Sequence, residues 1–388
     1  MLNNRRKLET GILIGAALGA IYVATRPRTT NHDSSRLVNW SKVEQMAISM
    51  VQSLPDSEVT DRHRLGFMYN DMVQQSVAFI RSYTGLDLIN GTGTVYVFDR
   101  VEWIRANIEG FRKLFSKIEE IQAHLDNSSS LGSLVFSQVN KQLMSTHMGV
   151  LLGYLSRRVL GQYDLSLLGK EPVGGSLYFV EPNIRKLERD LRLPGYNLRL
   201  WIALHETTHA FEFEANPWLR DYFNSLLESY FDVVNSQVKT FRGKDLLNTA
   251  ISSLRSRDNY EGWMEIFMPP AQREVFRKLQ AVMSLLEGYS NHIMNSIGSS
   301  VLPDYSYIKS RFDARQANTS WADKLFARLT GLHIKMEQYR QGEAFVNKVV
   351  TERGINFMNK VWEGPENLPS LEEIKSPQLW IERIDANA

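Results

Sequence analysis

Residues 197–216 read NLRLWIALHETTHAFEFEAN, and no other stretch limits the fold as much. The run holds neither Gly nor Pro. Leu200, Trp201, Ile202, Leu204, Phe211 and Phe213 are spread round every face of the helix it predicts. A helix that is apolar on all sides is a buried helix. Asn197 is a candidate N-cap, and Asn216-Pro217 a candidate stop. Yet three polar side chains, His205, Glu206 and His209, lie in its middle. Each would cost roughly 2–7 kcal/mol if buried without a partner. Residues four apart on a helix are separated by about 40°, so His205 and His209 share a face and can share one metal ion. Glu206 is about 100° round from His205. There it reaches a water at the metal instead of the metal, the place of a general base. The rival reading is a chance match whose histidines are satisfied within the core.

The chain has no Cys. Disulfides, thiolate metal sites and cysteine nucleophiles are excluded, and any zinc must be held by His and carboxylate. The 388 residues are 43% apolar and 23% charged, with a net charge of +2, so there is ample material for a core. Neither a basic excess nor a basic-aromatic module points to nucleic acid.

Catalytic zinc usually takes three protein ligands and leaves one position open. Four residues compete to be the third. Glu212 follows His205 by seven on the same face, but three ligands from one straight helix cannot surround a tetrahedral ion. It reads better as a support behind a ligand. His292 reads as ordinary packing, and Asp221 as a solvent-facing residue. Glu287 lies in VMSLLEGYSNHIMNSI, on a stripe with Met283, Ser290 and Met294. A carboxylate on an apolar stripe must be neutralised or paired. A metal would pair it, and so would a buried Arg199 or Arg220. Gly288 beside it lets another backbone come close.

The rest of the chain reads as mainly helical. Ser41 and Glu44 form a candidate capping box, and helices are expected at 59–84, 99–125, 132–161, 217–239, 244–256, 270–297, 305–316, 319–330, 334–352 and 355–361. Gly149 and Gly153 suggest close packing. Residues 88–99 read as a Gly-broken loop with room for a short strand. The best strand is Ser176–Val180, closed by Pro182. It suits pairing with an extended peptide; an isolated edge strand is the alternative. Residues 10–25 carry no charge and repeat Gly every four residues. As a helix they would span about 24 Å, short of the roughly 30 Å hydrocarbon core. A membrane anchor, a docked helix and a cleaved signal stay open, with residues 26–37 as a polar linker. The expected organisation is a segment at 1–37 and one domain at 38–384.

Several long runs, in order, are similar to one family: VLLGYLSRRVLGQYDLSLLG, LYFVEPNI, LRLWIALHETTHAFEFEANPWLRDYF, SLLEGYSNHIMN, KMEQYRQGEAFV and VWEGPENLPSLEEIKSPQLWIERI. The chain resembles the bacterial zincin-like metallopeptidases, sometimes labelled as associated with deazaflavin-coenzyme biosynthesis. The resemblance implies a gluzincin-type fold and one zinc per chain. It places the HExxH motif on His205, Glu206 and His209, and the downstream LLEG motif on Glu287. Family members often have His where this chain has Tyr289.

The expected chemistry is hydrolysis of a peptide or small amide, with Glu206 as base and His205, His209 and Glu287 on zinc. Tyr178, Tyr289, His292, His333, Tyr339 and Arg340 are candidates for stabilising the transition state. A helical scaffold with a closed structural zinc site, or none, is the other class. A fourth protein ligand such as His292 would favour it. Residues 162–164 and 335–340 line either a cleft or a buried polar network. Location is expected at a membrane through residues 10–25, or otherwise in the cytoplasm.

Overall fold

The computed structural model describes residues 38–55, 58–89, 91–123, 131–163, 175–238, 270–317 and 332–387. The predicted helices at 244–256 and 319–330 and the segment at 1–37 lie outside these residues. No described helix is long and apolar enough to cross a membrane.

The expected mainly helical architecture is what is found. In chain order come α1 (Trp40–Ser49), α2 (Arg62–Thr84), β1 (Val95–Phe98), α3 (Arg100–Ala123), α4 (Leu131–Leu155), β2 (Gly161–Tyr163), β3 (Leu177–Val180), α5 (Glu181–Leu191), α6 (Gly195–Glu214) and α7 (Pro217–Val238). Then follow α8 (Pro270–Val301), α9 (Tyr305–Ala317), α10 (Leu332–Arg353), α11 (Ile355–Met358), α12 (Leu371–Lys375) and α13 (Pro377–Ala386).

The predicted strand is not at an edge. The sheet order is β1-β3-β2, so β3 lies in the middle. It runs parallel to β1, with Val95 opposite Leu177, and antiparallel to β2, with Gly161 opposite Phe179. Leu177, Phe179 and Val97 are buried on one face, while Tyr96 and Tyr178 stack on the other at 5.2 Å. β2 falls where a helix end was expected. α4 stops at Leu155, and the chain then turns and extends. Pro182 closes the strand as expected, but it also opens α5, because proline suits a first helical turn. The capping box at Ser41 is displaced: Asn39 caps α1 by accepting from the Lys42 N–H, and Glu44 pairs with Arg105 instead. The close packing expected of Gly149 and Gly153 is present, since a Cβ at Gly149 would collide with Met46 of α1 and one at Gly153 with Met50 just after it.

Two apolar clusters organise the described residues. A smaller one joins α1, α3 and α4 to Val180 of β3. The larger one gathers α2, α6, α8, α10 and the C-terminal helices round the other face of the sheet. α6 runs through this larger cluster and packs on α2 and α8.

Candidate metal centre

α6 begins two residues before Asn197. Pro194 occupies the cap position in extended conformation, and the Leu198 N–H donates to its carbonyl at 3.0 Å. The helix ends at Glu214, before the predicted Asn216-Pro217 stop. There the Asn216 amide donates to the Glu212 carbonyl at 3.0 Å and ties off the last turn. From Leu198 to Glu214 every residue is buried except His205 and His209. Within that stretch the two predicted ligands are thus the only side chains that keep solvent access.

α8 lies across them. Between Ser284 and Ser290 only Glu287 keeps solvent access. His205, His209 and Glu287 each offer one ligand atom, and these atoms all lie within 4.8 Å of one another. The side chains are 20%, 14% and 24% exposed, enough for an ion to enter. His205 Nε2 stands 3.8 Å from Glu287 Oε2. Ligands at 2.0–2.1 Å round a tetrahedral ion stand about 3.3 Å apart, so a small inward shift would close the set. The rival pairing of Glu287 with Arg199 or Arg220 is not found among the described residues. Arg199 bonds Glu181 at 2.6 Å and Glu188 at 2.8 Å, and Arg220 pairs with Glu214 at 3.2 Å. Three carboxylates, Glu206, Glu212 and Glu287, therefore crowd round two imidazoles, a set whose chemistry fits a divalent cation.

The electrostatics agree. Burial pulls His205 down to about 3, and His209 adds to the fall, so His205 is neutral at pH 7. Burial pushes Glu206 up to about 7; proximity to His209 opposes the rise and Glu287 adds to it. Burial also works against charge on His209, but the Glu212 carboxylate more than offsets this and raises it. His209 Nδ1 lies 2.7 Å from Glu212 Oε2. With Nδ1–H donated there, Nε2 is left as the ligand atom. Glu212 is therefore a support behind His209 and not a ligand.

Glu206 is held from the side by β2. The Tyr163 backbone N–H donates to its carboxylate. A Cβ at Gly161 would lie 2.5 Å from Glu206 Cγ, so only glycine lets the strand come this close. Sequence reading missed this role and assigned Gly161 to a helix end. The run Gly161-Gln162-Tyr163, a Gly followed closely by an aromatic, was its available signal.

Several candidates lie elsewhere. Tyr289 is wholly buried, its hydroxyl bonded to Asn359 at 2.8 Å and its ring against Trp362. It sits two residues from Glu287, on the opposite side of α8, and is a core tyrosine. His292 bonds Asn347 at 2.6 Å and Tyr83 at 2.9 Å, in a network between α2, α8 and α10. It is neither a ligand nor a group facing the site. Tyr178 stacks on the outer sheet face. Gln162 receives the Trp103 indole N–H at 2.7 Å, and Tyr163 bonds Glu214 at 2.5 Å. Residues 162 and 163 thus belong to polar networks, as one of the two readings had it. Asp221 is exposed on α7, and so is Arg340 on α10. The side chains of His333 and Tyr339 lie outside the described residues.

A family model described as zincin-like metallopeptidase matches residues 38–381. No curated protein matches the chain. Among solved structures, one from Chloroflexus aurantiacus, described as a "putative hydrolase with a novel fold", is 40% identical. The match covers 90% of this chain and 99% of that one, with a TM-score of 0.66. With the two histidines, Glu206 and the distant Glu287 brought together, the match over nearly the whole described chain has a structural counterpart: the chain belongs to the zincin-like metallopeptidase family.

Proposed function

We propose that the protein is a zinc-dependent hydrolase that cleaves a peptide or amide bond. The observation that carries this is the convergence of His205, His209 and Glu287 on one point, beside Glu206. The three would hold zinc. Zinc supplies Lewis acidity, lowering the pKa of water toward about 7 and polarising a carbonyl. Glu206, with a pKa near 7, takes a proton at neutral pH and later returns it to the leaving amine. Glu212 orients His209. Gly161 and the Tyr163 N–H hold Glu206 where it can act.

Among the described residues, β2 is an outer strand of the sheet and lies against α6 beside Glu206. The closed structural-zinc alternative called for a fourth ligand such as His292, which is bonded elsewhere.

The test begins with metal content of the purified full chain, beside His205→Ala and Glu287→Ala. About one zinc per chain is expected in the parent, with loss or marked weakening in both variants. Parent protein that takes up no metal when zinc is supplied would overturn the reading. The loaded parent would then be screened on peptides. Glu206→Gln, which should keep metal and lose about 10²–10⁴-fold in rate, is the control.

A further inference from the structure

We propose that Ser290 is a positioning residue for the metal centre, locking the helix that carries Glu287 to the helix that carries both histidines. The inference rests on the metal reading above but concerns a residue which that reading does not use. Ser290 lies on α8, three residues after Glu287, and is wholly buried. Its hydroxyl donates to Glu212 Oε1 at 3.1 Å and lies 3.1 Å from His209 Nδ1. His209 Nδ1 in turn lies 2.7 Å from Glu212 Oε2.

The three groups close a triangle across the two helices. A hydroxyl has one proton and two lone pairs. With its proton on Glu212, Ser290 can only accept from His209, so Nδ1 carries its hydrogen and Nε2 faces the ion. The triangle therefore fixes the His209 tautomer and the offset between α6 and α8 together. The opposite side of α8 is fixed too. A Cβ at Gly288 would lie 2.2 Å from the Gly342 carbonyl carbon, so two backbones meet there. α8 cannot roll to replace the lost contact without breaking that crossing. A buried carboxylate oxygen stripped of a donor is costly, and outer contacts of this kind are worth about 10–100-fold in metal affinity.

The experiment measures zinc affinity of the full chain by competition with a chromophoric chelator. The visible spectrum of the cobalt-loaded protein and the unfolding midpoint without metal are recorded beside it. Ser290→Ala should bind zinc about 10–100-fold more weakly and alter the cobalt spectrum, and the stranded Glu212 oxygen should lower the metal-free midpoint as well. Ser284→Ala removes a buried hydroxyl of the same helix that has no hydrogen-bond partner, and it should bind as the parent does. Should Ser290→Ala not fold, Ser290→Cys, similar in size but a weak donor, is read the same way. Parent-like affinity in the Ser290 variant overturns the proposal, as does equal weakening in Ser284→Ala. A parent that binds no zinc overturns the metal reading itself, before any Ser290 variant is compared.

Discussion

Glu206 and Gly161 form the tightest pairing of functional and structural need in the molecule. The Glu206 carboxylate, the proposed base, is buried, and a strand backbone passes so close that a methyl group at 161 would overlap it. Gly161→Ala must therefore move either the strand or Glu206. We expect metal content to stay near that of the parent, since none of the three ligands touches Gly161 in this way. Turnover should fall about 10²-fold, the usual cost of about 1 Å of misplacement. Paired zinc analysis and kinetics would show it; unchanged kcat would mean that Glu206 has room to adapt. A second prediction concerns Arg199, whose side chain is only 9% exposed and is held by Glu181 and Glu188. Removing one partner of a buried pair strands the other charge. Arg199→Ala should cost about 3–5 kcal/mol in urea unfolding.

The cluster of His205, His209 and Glu287 depends on the meeting of α6 with α8, and α8 is held in turn by α10. The second contact is made by glycines. A Cβ at Gly342 would lie 1.9 Å from the Ser284 carbonyl oxygen, so no side chain fits at the crossing. Gly342→Ala should push α10 off α8 and destabilise the fold by about 1–3 kcal/mol, as overpacking does. It should also weaken zinc binding, because α8 carries Glu287. Chemical unfolding with and without zinc separates the two effects. A variant destabilised equally in both conditions would show that the crossing supports the fold and not the site.

Over the whole molecule, the centre without metal is a set of opposed charges whose balance depends on pH. His209 is raised above its ordinary value. Burial also pushes Glu212 up to about 7, so the folded pair holds its protons more tightly than the unfolded chain, and the stability this contributes is fully present only below the ordinary carboxylate value of 4.5. It is lost as pH rises toward the raised values. Glu206, pushed up to about 7, works in the same direction: the folded state binds its proton more tightly, so stability falls as pH climbs from the ordinary carboxylate value toward 7. Metal needs deprotonated ligands and binds better as pH rises. The gap in unfolding temperature between zinc-loaded and metal-free protein should therefore widen from pH 6 to 9. At zinc about 1,000-fold above Kd, binding adds about 4 kcal/mol of stability. Calorimetry across that range, before and after chelation, tests this. A gap that stays constant with pH would mean that the ligands carry no protons for the metal to displace.

Much of the centre was legible because its parts are local. His205, Glu206 and His209 sit on one helix, where spacing alone decides which side chains share a face. The buried character of α6 followed from apolar residues on every side. Glu287 was found 78 residues past His209 by a weaker local signal, an acid in an apolar stripe, and the fold brings its ligand atom to the histidines. What local pattern could not reveal is contact between distant elements. Tyr289 and His292 are the right residue types near the right motif, but helix rotation turns one into the core and the other toward α2 and α10. Ser290, which read as one member of a stripe, bonds the partner helix. Gly161 looked like a helix stop, because a three-residue strand has too little alternation to register. The sequence by itself determined which helix is buried and that His205 and His209 share one of its faces, through helical periodicity and the cost of burying polar groups. Only the tertiary structure decided which carboxylate stands beside the two histidines and what holds Glu206 in place. Those depend on how distant backbones pack, and the sequence around each residue does not encode that separation.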